Sequence, residues 1–329
     1  MSHPRCTITI EGSEEGEIDD LLHYLKHYKA DIGNPNLIIC LDAGAYTEDT
    51  LTVTNSLRGC LNFDLKVSVG SNHCHSGVSG GIIPQTYQIL SRILQRVQNF
   101  ETQDMIDEFQ VEIPKFSYEQ CHKLARKFPM LTEGLPMLPG VKNQAFKHGG
   151  QPDAKENLEL HLNNWWRPQL SVIGIEGLPN NLAMAGNAIV KDLKLRCSMR
   201  LAPTQKGAEV VEQLRAKLTE QKDDTFGVQI SFEVCDVADG FCAPEFDERL
   251  SKIVFESTQE VFNGNDPIFI GCGGSIPFME VMSREFPGVA FLLTGVGFSD
   301  SGAHSANENL RLGFTSKITQ TVSLALSKF

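Results

Sequence analysis

The sequence predicts an α/β domain that is interrupted by an α+β domain. Near both ends of the chain, buried strand patterns alternate with helical patterns, which is typical of α/β proteins. Between them, Leu61, Phe63, Leu65, Val67 and Val69 share one face of a strand whose other face is polar, as in an antiparallel sheet with one open side. The chain has 329 residues, 41% of them hydrophobic, so it is long enough for two such domains.

The first part of the α/β domain is expected over residues 1–56. "CTITIEG" alternates like a strand, and "EIDDLLHYLKHY" carries apolar residues at helical spacing. "NLIICLDAG" then predicts a buried strand that ends at Asp42 and Gly44. In α/β domains, ligands bind at the carboxyl ends of parallel strands, so side chains just past such ends are candidates for a site.

The α+β domain is expected over residues 57–236. Its predicted order is strand, helix, strand, strand, helix, strand, which is the ferredoxin-like split pattern of an antiparallel sheet backed by two helices. A stretch at about 111–166 is rich in Pro, Gly and Lys and has weak periodicity, so we interpret it as an insertion.

The α/β character returns over residues 237–329. "FDERLSKIVFESTQEVF" predicts a helix, "GVAFLLTGVG" predicts a buried strand, and the chain closes with another helix. Between the first helix and the strand lies the Gly-rich "FIGCGGSIP". Without a following Gly-Lys-Ser/Thr, its glycines are weak evidence for a phosphate-binding loop.

Charge and cysteine content limit the possible partners. The formal net charge is −12 at pH 7, whereas nucleic acids and anionic membranes require clustered Lys and Arg. The nine cysteines are scattered and include no C-x-x-C pair, as in proteins of a reducing compartment. The sequence also lacks a signal-peptide pattern and any apolar run of membrane-spanning length. We therefore expect a cytoplasmic protein that acts on a small molecule.

Acidic and imidazole side chains follow three predicted elements of the α/β domain. Glu14 and Glu15 come after the first strand, Asp42 closes the second, and His304 lies in the late loop "GVGFSDSGAHSANE". Glu15, Asp42 and His304 form a ligand set typical of catalytic zinc or manganese. Glu14 would then remain free to take a proton from a water beside the ion and pass it to a leaving amine.

Each of these residues also has an ordinary structural alternative. The glutamates suit a solvated helix start, because acidic side chains favour the positive end of the helix dipole. Asp42 suits an N-cap or an Asx turn, and His304 suits a solvated loop position. The sequence pattern alone leaves these alternatives open.

Seven motifs carry a resemblance to a known family. "EGSEEGE", "CLDAG", "SLRG", "CHSGVSGG", "SMRLAP", "GGSIP" and "DSGAHSANE" occur in this order and resemble the M20 metallopeptidases, in particular the carnosinase and cytosolic non-specific dipeptidase branch. The resemblance implies a catalytic domain with two zinc ions, or manganese, interrupted by a ferredoxin-like lid domain that forms a homodimer. It implies hydrolysis of a peptide or amide bond in a small substrate with a free carboxylate.

The resemblance also implies roles for the metal-side residues. Glu14 resembles the general base, and Glu15 resembles a ligand of one metal. Asp42 resembles a ligand of the other metal, and His304 resembles a ligand on the Glu15 side.

Three further residues resemble groups that contact the substrate. His75 is similar to a lid histidine that enters the partner subunit's site and stabilises the oxyanion. Arg200 and Ser275 resemble groups that hold the terminal carboxylate, for which the planar fork of arginine is suited. The ordinary alternatives are a loop histidine, a strand-surface arginine and a helix N-cap serine.

The sequence departs from the family pattern before the glutamate pair. The family uses an H-x-D histidine and a metal-bridging aspartate there, whereas the thirteen residues before Glu14 contain His3 in "SHPR" and no aspartate. We therefore expect an incomplete metal site, in a shortened copy of a longer enzyme or in a natural fragment. The alternative function is a non-catalytic or inactive homologue that acts as a dimerisation module.

A serine hydrolase is the other enzyme class that the sequence suggests. "GVSGG" fits G-x-S-x-G around Ser79, and Asp300 and His304 follow in the order of a triad. However, "SNHCHSG" separates the strand from Ser79, so the sharp strand-to-helix turn that exposes such a nucleophile is not predicted.

Overall fold

The computed structural model describes residues 3–10, 12, 19–128, 132, 135–145 and 154–329. In chain order, the strands are β1 Leu37–Cys40, β2 Thr52–Leu57, β3 Gly59–Ser68, β4 Cys74–His75, β5 Gln169–Glu176, β6 Ala188–Ile189, β7 Asp192–Leu201, β8 Gln229–Ala238, β9 Phe241–Cys242, β10 Ile268–Cys272 and β11 Ala290–Leu293. The helices are α1 Asp19–His27, α2 Lys29–Ile32, α3 Ser76–Ser79, α4 Thr86–Leu94, α5 Lys115–Lys127, α6 Ala154–Trp165, α7 Gly207–Thr219, α8 Glu248–Val261, α9 Pro277–Glu285 and α10 Leu312–Lys328.

Strands from both ends of the chain form a first, mixed sheet. Its order is β1-β11-β2-β10, and β9 pairs with β2. β1 is parallel to β11 and β10 is parallel to β2, whereas β2 meets β11 in antiparallel orientation. The α/β prediction is confirmed, but the sheet is not wholly parallel, because β2 is antiparallel to β11 and β9. From this sheet, β2 leads directly into β3 of the second sheet.

The second sheet is antiparallel and has the order β5-β7-β3-β8. Leu61, Phe63, Leu65 and Val67 are buried on one face and belong to one core with α4 and α7. On the other face, Asp64 accepts hydrogen bonds from Arg196. The first and third strands of this unit lie in the middle and the second and fourth at the edges, which confirms the predicted ferredoxin-like arrangement.

The described residues of the segment at 111–166 include the helices α5 and α6, where the sequence showed weak periodicity. α5 and α6 pack on each other and both contact β10 of the first sheet. Trp165 and Trp166 are buried in this cluster. The domain boundaries after residues 56 and 236 stay predictions.

The expected strand in "CTITIEG" is wrong for its described residues. Residues 3–10 form no strand, and Ile8 and Ile10 are 82% and 91% exposed. A strand gains its hydrogen bonds from a neighbour, and no described strand of the first sheet pairs with this segment.

Two further features of the described residues concern the cysteines and the hydropathy of the helices. The nine cysteines all lie among them and are free thiols. In the same part of the chain, no helix combines the length and hydropathy of a membrane span.

Candidate functional site

The loops after β1 and β11 lie side by side at the carboxyl ends of these two parallel strands. The N–H of Ala43 donates to the carbonyl of Thr294 at 3.1 Å, and the N–H of Ala45 donates to that of Gly297 at 2.6 Å. Asp42 lies in the first loop and His304 follows in the second, both exposed. The structure thus places two of the three predicted metal ligands on adjoining segments at one edge of the sheet.

A glycine allows this close approach. A Cβ atom at Gly295 would lie 1.7 Å from the carbonyl oxygen of Ala43, so no side chain fits there. Gly295 in "GVGFSDSGAHSANE" therefore has a packing reason, apart from any function.

Ser301 anchors the loop that carries His304. This buried serine donates its N–H to the Phe298 carbonyl, accepts from the Phe298 N–H on its hydroxyl, and accepts from the Asn309 N–H on its carbonyl. His304 has φ +59°, in the left-handed region. A side chain held in this uncommon conformation by an ordered loop is a candidate for function.

Asp300 has a structural partner. Both of its carboxylate oxygens accept from Arg311 Nη2, at 2.9 and 2.7 Å, and the guanidinium of Arg311 lies 4.1 Å from the ring centre of Phe298. Ser79 lies in the short helix α3, beyond the far end of β3. These positions disfavour a Ser79–His304–Asp300 triad.

Glu14 and Glu15 lie outside the described residues, so their geometry is not tested. Within the ranges that are described, no group of three His, Cys, Asp or Glu side chains is arranged to hold a metal ion. The full ligand set stays a prediction.

Arg200 and Ser275 lie where the two sheets meet. Arg200 is half-buried on β7 and pairs with Cys60 of β3. Ser275 precedes α9, whose N-cap is Ile276, so Ser275 does not occupy the capping position. Arg58, which follows β2, is also at this junction, and burial together with the charge of Arg200 lowers its pKa to about 10.

The Gly-rich loop after β10 is shaped by packing. A Cβ at Gly271 would lie 2.5 Å from the Cβ of Trp165, and one at Gly273 would lie 2.8 Å from the side-chain oxygen of Asn164. Because the end of α6 fills this space, Gly271 and Gly273 need no phosphate ligand to explain them.

The predicted residues fall into separate groups along the chain. The hydroxyl of Thr294 donates to the carbonyl of Thr52 at the start of β2, whereas Arg58 follows the end of β2. The six residues of this strand span about 20 Å. The loops of Asp42 and His304 therefore adjoin one end of β2, and Arg200 adjoins the other. His75 lies past the far end of β3, whose ten residues span about 33 Å more.

A cleft of about 580 Å³ lies elsewhere, between α5 and the segment that follows β9. It is lined in part by Phe116, Lys123, Pro244 and Phe269. None of the predicted site residues in the described part of the chain lines it.

Sequence reasoning gave Arg58 no role, although it lies in the quoted motif "SLRG". The available signal was the position of Arg58 between two apolar strand patterns. An arginine that is buried there needs hydrogen-bond acceptors. Its acceptors are backbone carbonyls from distant segments, which no local pattern reveals.

A family model for the M20 peptidase dimerisation domain matches residues 55–225, just over half of the chain. The chain is 25% identical over 322 residues to the probable di- and tripeptidase DUG2 of Saccharomyces cerevisiae, covering 97% of this chain and 34% of that protein. It is 23% identical to the cysteinylglycine-S-conjugate dipeptidase of Corynebacterium striatum, covering 92% and 62%.

Among solved structures, the M20 family metallo-carboxypeptidase Sso-CP2 of Sulfolobus solfataricus has a similar fold. The TM-score is 0.70 at 17% identity, covering 97% of this chain and 69% of that one. The chain thus spans about a third of the yeast relative and less than two thirds of the corynebacterial one.

Proposed function

Because the chain belongs to the M20 peptidase dimerisation-domain family, we propose that it acts as a metal-dependent hydrolase of dipeptides or similar small peptides. The names of its relatives support a peptide substrate, and that of the Sulfolobus enzyme supports a metal. The observation that carries the proposal is the pairing of the loops after β1 and β11, which brings the segments of Asp42 and His304 together.

We assign Glu15, Asp42 and His304 as ligands of a divalent ion, Zn²⁺ or Mn²⁺. Carboxylate and imidazole donors on exposed loops at the carboxyl ends of β1 and β11 fit such an ion. When bound, the ion supplies Lewis-acid activation of a water and of the scissile carbonyl. Glu14 takes the proton from that water and passes it to the leaving amine.

We assign Arg200 and Ser275 to the substrate's carboxylate and His75 to the oxyanion in the partner subunit. An extended dipeptide is about 7 Å long, shorter than the six residues of β2. To meet both groups of one chain, the dipeptide requires a conformation in which Arg200 lies closer to the loop of Asp42 than it does in this structure. The long separation of His75 from the Asp42 loop supports a homodimer in which each lid serves the other subunit.

Metal titration tests the ligand assignment directly. We expect calorimetry with MnCl₂ to show binding to the wild type. His304→Gln or Asp42→Asn should weaken the Mn²⁺ affinity at least about tenfold, since loss of a residue that only hydrogen-bonds a metal ligand already lowers metal affinity by this factor. His122→Gln replaces an exposed histidine of α5 and is the matched control. Equal affinity of all four proteins would contradict the assignment.

Hydrolysis tests the base. With a Cys-Gly dipeptide and Mn²⁺, Glu14→Gln should lose nearly all turnover while keeping its metal content, because the amide cannot accept the proton. Unchanged turnover would show that Glu14 is not the base. Wild-type protein that binds metal but hydrolyses no dipeptide would favour the dimerisation module instead.

We also propose that the protein works in the cytoplasm. The nine cysteines are free thiols, and five of them are partly or fully buried near apolar residues. Cysteines used in this way suit a reducing compartment.

A further inference from the structure

Arg58 is the single residue between β2 of the first sheet and β3 of the second. Its side chain is only 8% exposed. Whatever Arg58 contacts is therefore held at the point where the chain passes from one sheet to the other.

Among the described residues, the hydrogen bonds of Arg58 all go to neutral acceptors. Nε donates to the carbonyl of Gly273 at 3.1 Å, and Nη1 donates to those of Asn163 and Arg167 at 3.3 and 3.4 Å. These carbonyls come from the loop after β10 and from the end of α6. Burying a guanidinium without a carboxylate is costly, because its charge is not neutralised.

One nitrogen of Arg58 is left over. Nη2 makes no hydrogen bond within the described residues, and solvent reaches it. It lies 3.1 Å from the position that a Cβ at Gly273 would take, so the absence of a side chain there keeps it uncovered. The side-chain nitrogen of Asn163, on the helix end that Arg58 binds, is buried and has no hydrogen-bond partner among the described residues.

A second cation lies on the same face. Arg200 pairs with Cys60, two residues beyond Arg58, and alternate strand residues share a face. Within the described residues, Arg200 forms no ion pair with a carboxylate. Burial is the main cause that lowers the pKa of Arg58, and the positive charge of Arg200 is the second. The two cations therefore repel each other electrostatically.

We propose that Arg58 Nη2, beside Gly273, is a second binding group for the peptide carboxylate that Arg200 holds, so that the anion sits between two guanidiniums. This inference rests on the proposed function. A carboxylate there would neutralise the charge that Arg58 buries and would give Nη2 an acceptor, and its two oxygens suit donors from two sides.

The test measures binding without catalysis. The metal-free protein, kept in EDTA, is titrated by calorimetry with glycylglycine and with its C-terminal amide, which lacks the anion. We expect the wild type to prefer the acid, and Arg58→Gln to reduce this preference about tenfold or more. Arg96→Gln is the control for loss of a largely buried arginine, because Arg96 donates to two backbone carbonyls and to Asp224 within the second domain, away from the junction.

A second variant tests the same inference if Arg58→Gln fails to fold. Gly273→Ala keeps both arginines and adds a methyl group 3.1 Å from Nη2, for which the side chain of Asn164 must shift, so it should also reduce the preference for the acid. An undiminished preference in a folded Arg58→Gln or Gly273→Ala protein would overturn the inference, as would equal affinity of the wild type for both ligands. Because no metal is present, these results do not depend on hydrolysis, and failure to hydrolyse would count against the proposed function alone.

Discussion

Gly295 fixes the distance between the two loops that carry Asp42 and His304. A Cβ there would overlap the carbonyl oxygen of Ala43, so Gly295→Ala must push the loops apart. We expect a loss of about 1 to 3 kcal/mol in the free energy of unfolding, measured by urea denaturation, and weaker binding of Mn²⁺. Gly297→Ala is the control in the same loop, because a Cβ at Gly297 would meet no atom within 4 Å. Equal losses in both variants would contradict this packing argument.

His161 is a buried residue whose neutral form the fold prefers. It is 0% exposed, with Nδ1 2.6 Å from the carbonyl of Asn157 and Nε2 3.3 Å from the hydroxyl of Tyr46. If Nδ1 donates to the carbonyl, Nε2 is left as an acceptor for the tyrosine, and both contacts are satisfied without charge. Burial accordingly lowers the pKa of His161.

This lowered pKa predicts a loss of stability in acid. The unfolded state takes up a proton as the pH falls below about 6.5, whereas the folded state resists it. The stability supplied by neutral His161 is therefore complete above about pH 6.5 and is lost as the pH falls toward the folded pKa. We expect His161→Phe to unfold with a shallower dependence on pH between 5 and 6.5 in chemical denaturation. Parallel pH curves for the two proteins would contradict this.

At the scale of elements, β3 and β7 are joined by an ionic contact on their open face. Arg196 holds the Asp64 carboxylate through hydrogen bonds and lowers its pKa, with a further contribution from Lys194. A carboxyl with a lowered pKa stabilises the fold above its unfolded pKa of about 3.9 and loses this effect as the pH falls through the folded value.

Asp64→Asn should therefore be less stable than the wild type by about 1 kcal/mol near neutral pH. The difference should shrink below pH 4, where the wild-type carboxyl also becomes neutral. Denaturation at several pH values measures it. A difference that stays constant from pH 7 to pH 2 would assign the loss to packing rather than to charge.

Elements with one strong period could be predicted from the sequence, whereas others could not. β3 and α7 show clear period-2 and helical patterns because each faces a single core. α5 and α6 bury their side chains against each other and against β10, so their apolar residues follow tertiary contacts. "CTITIEG" has the period of a strand, but pairing depends on a neighbour that the pattern does not supply.

The candidate site was predictable only in part, for a similar reason. Asp42 and His304 follow strand patterns, and strand ends can be read locally. The three acceptors of Arg58 come from two other segments, so its place at the junction depends on the whole fold.

At the scale of the whole molecule, the edge strand β5 presents an apolar surface that is suited to a second copy of the chain. Val172, Ile173 and Ile175 are each about half exposed or more on this strand. The register between β5 and β7 shifts between Val172 and Gly174, so Ile173 has no partner residue on β7. This bulge residue is 60% exposed. Three exposed apolar residues on one edge of a domain whose family is named for dimerisation favour an interface there.

Ile173→Asp should accordingly separate the proposed homodimer. A charge in an apolar interface loses its hydration without gaining a partner, so we expect the dimer Kd to rise about a hundredfold, measured by analytical ultracentrifugation. Leu312→Asp is the control, since Leu312 is an exposed leucine at the start of α10. If Ile173→Asp stayed dimeric while remaining folded, the interface would lie elsewhere. Because His75 of one subunit is proposed to serve the other, the monomeric variant should also lose dipeptide hydrolysis while retaining its Mn²⁺ affinity.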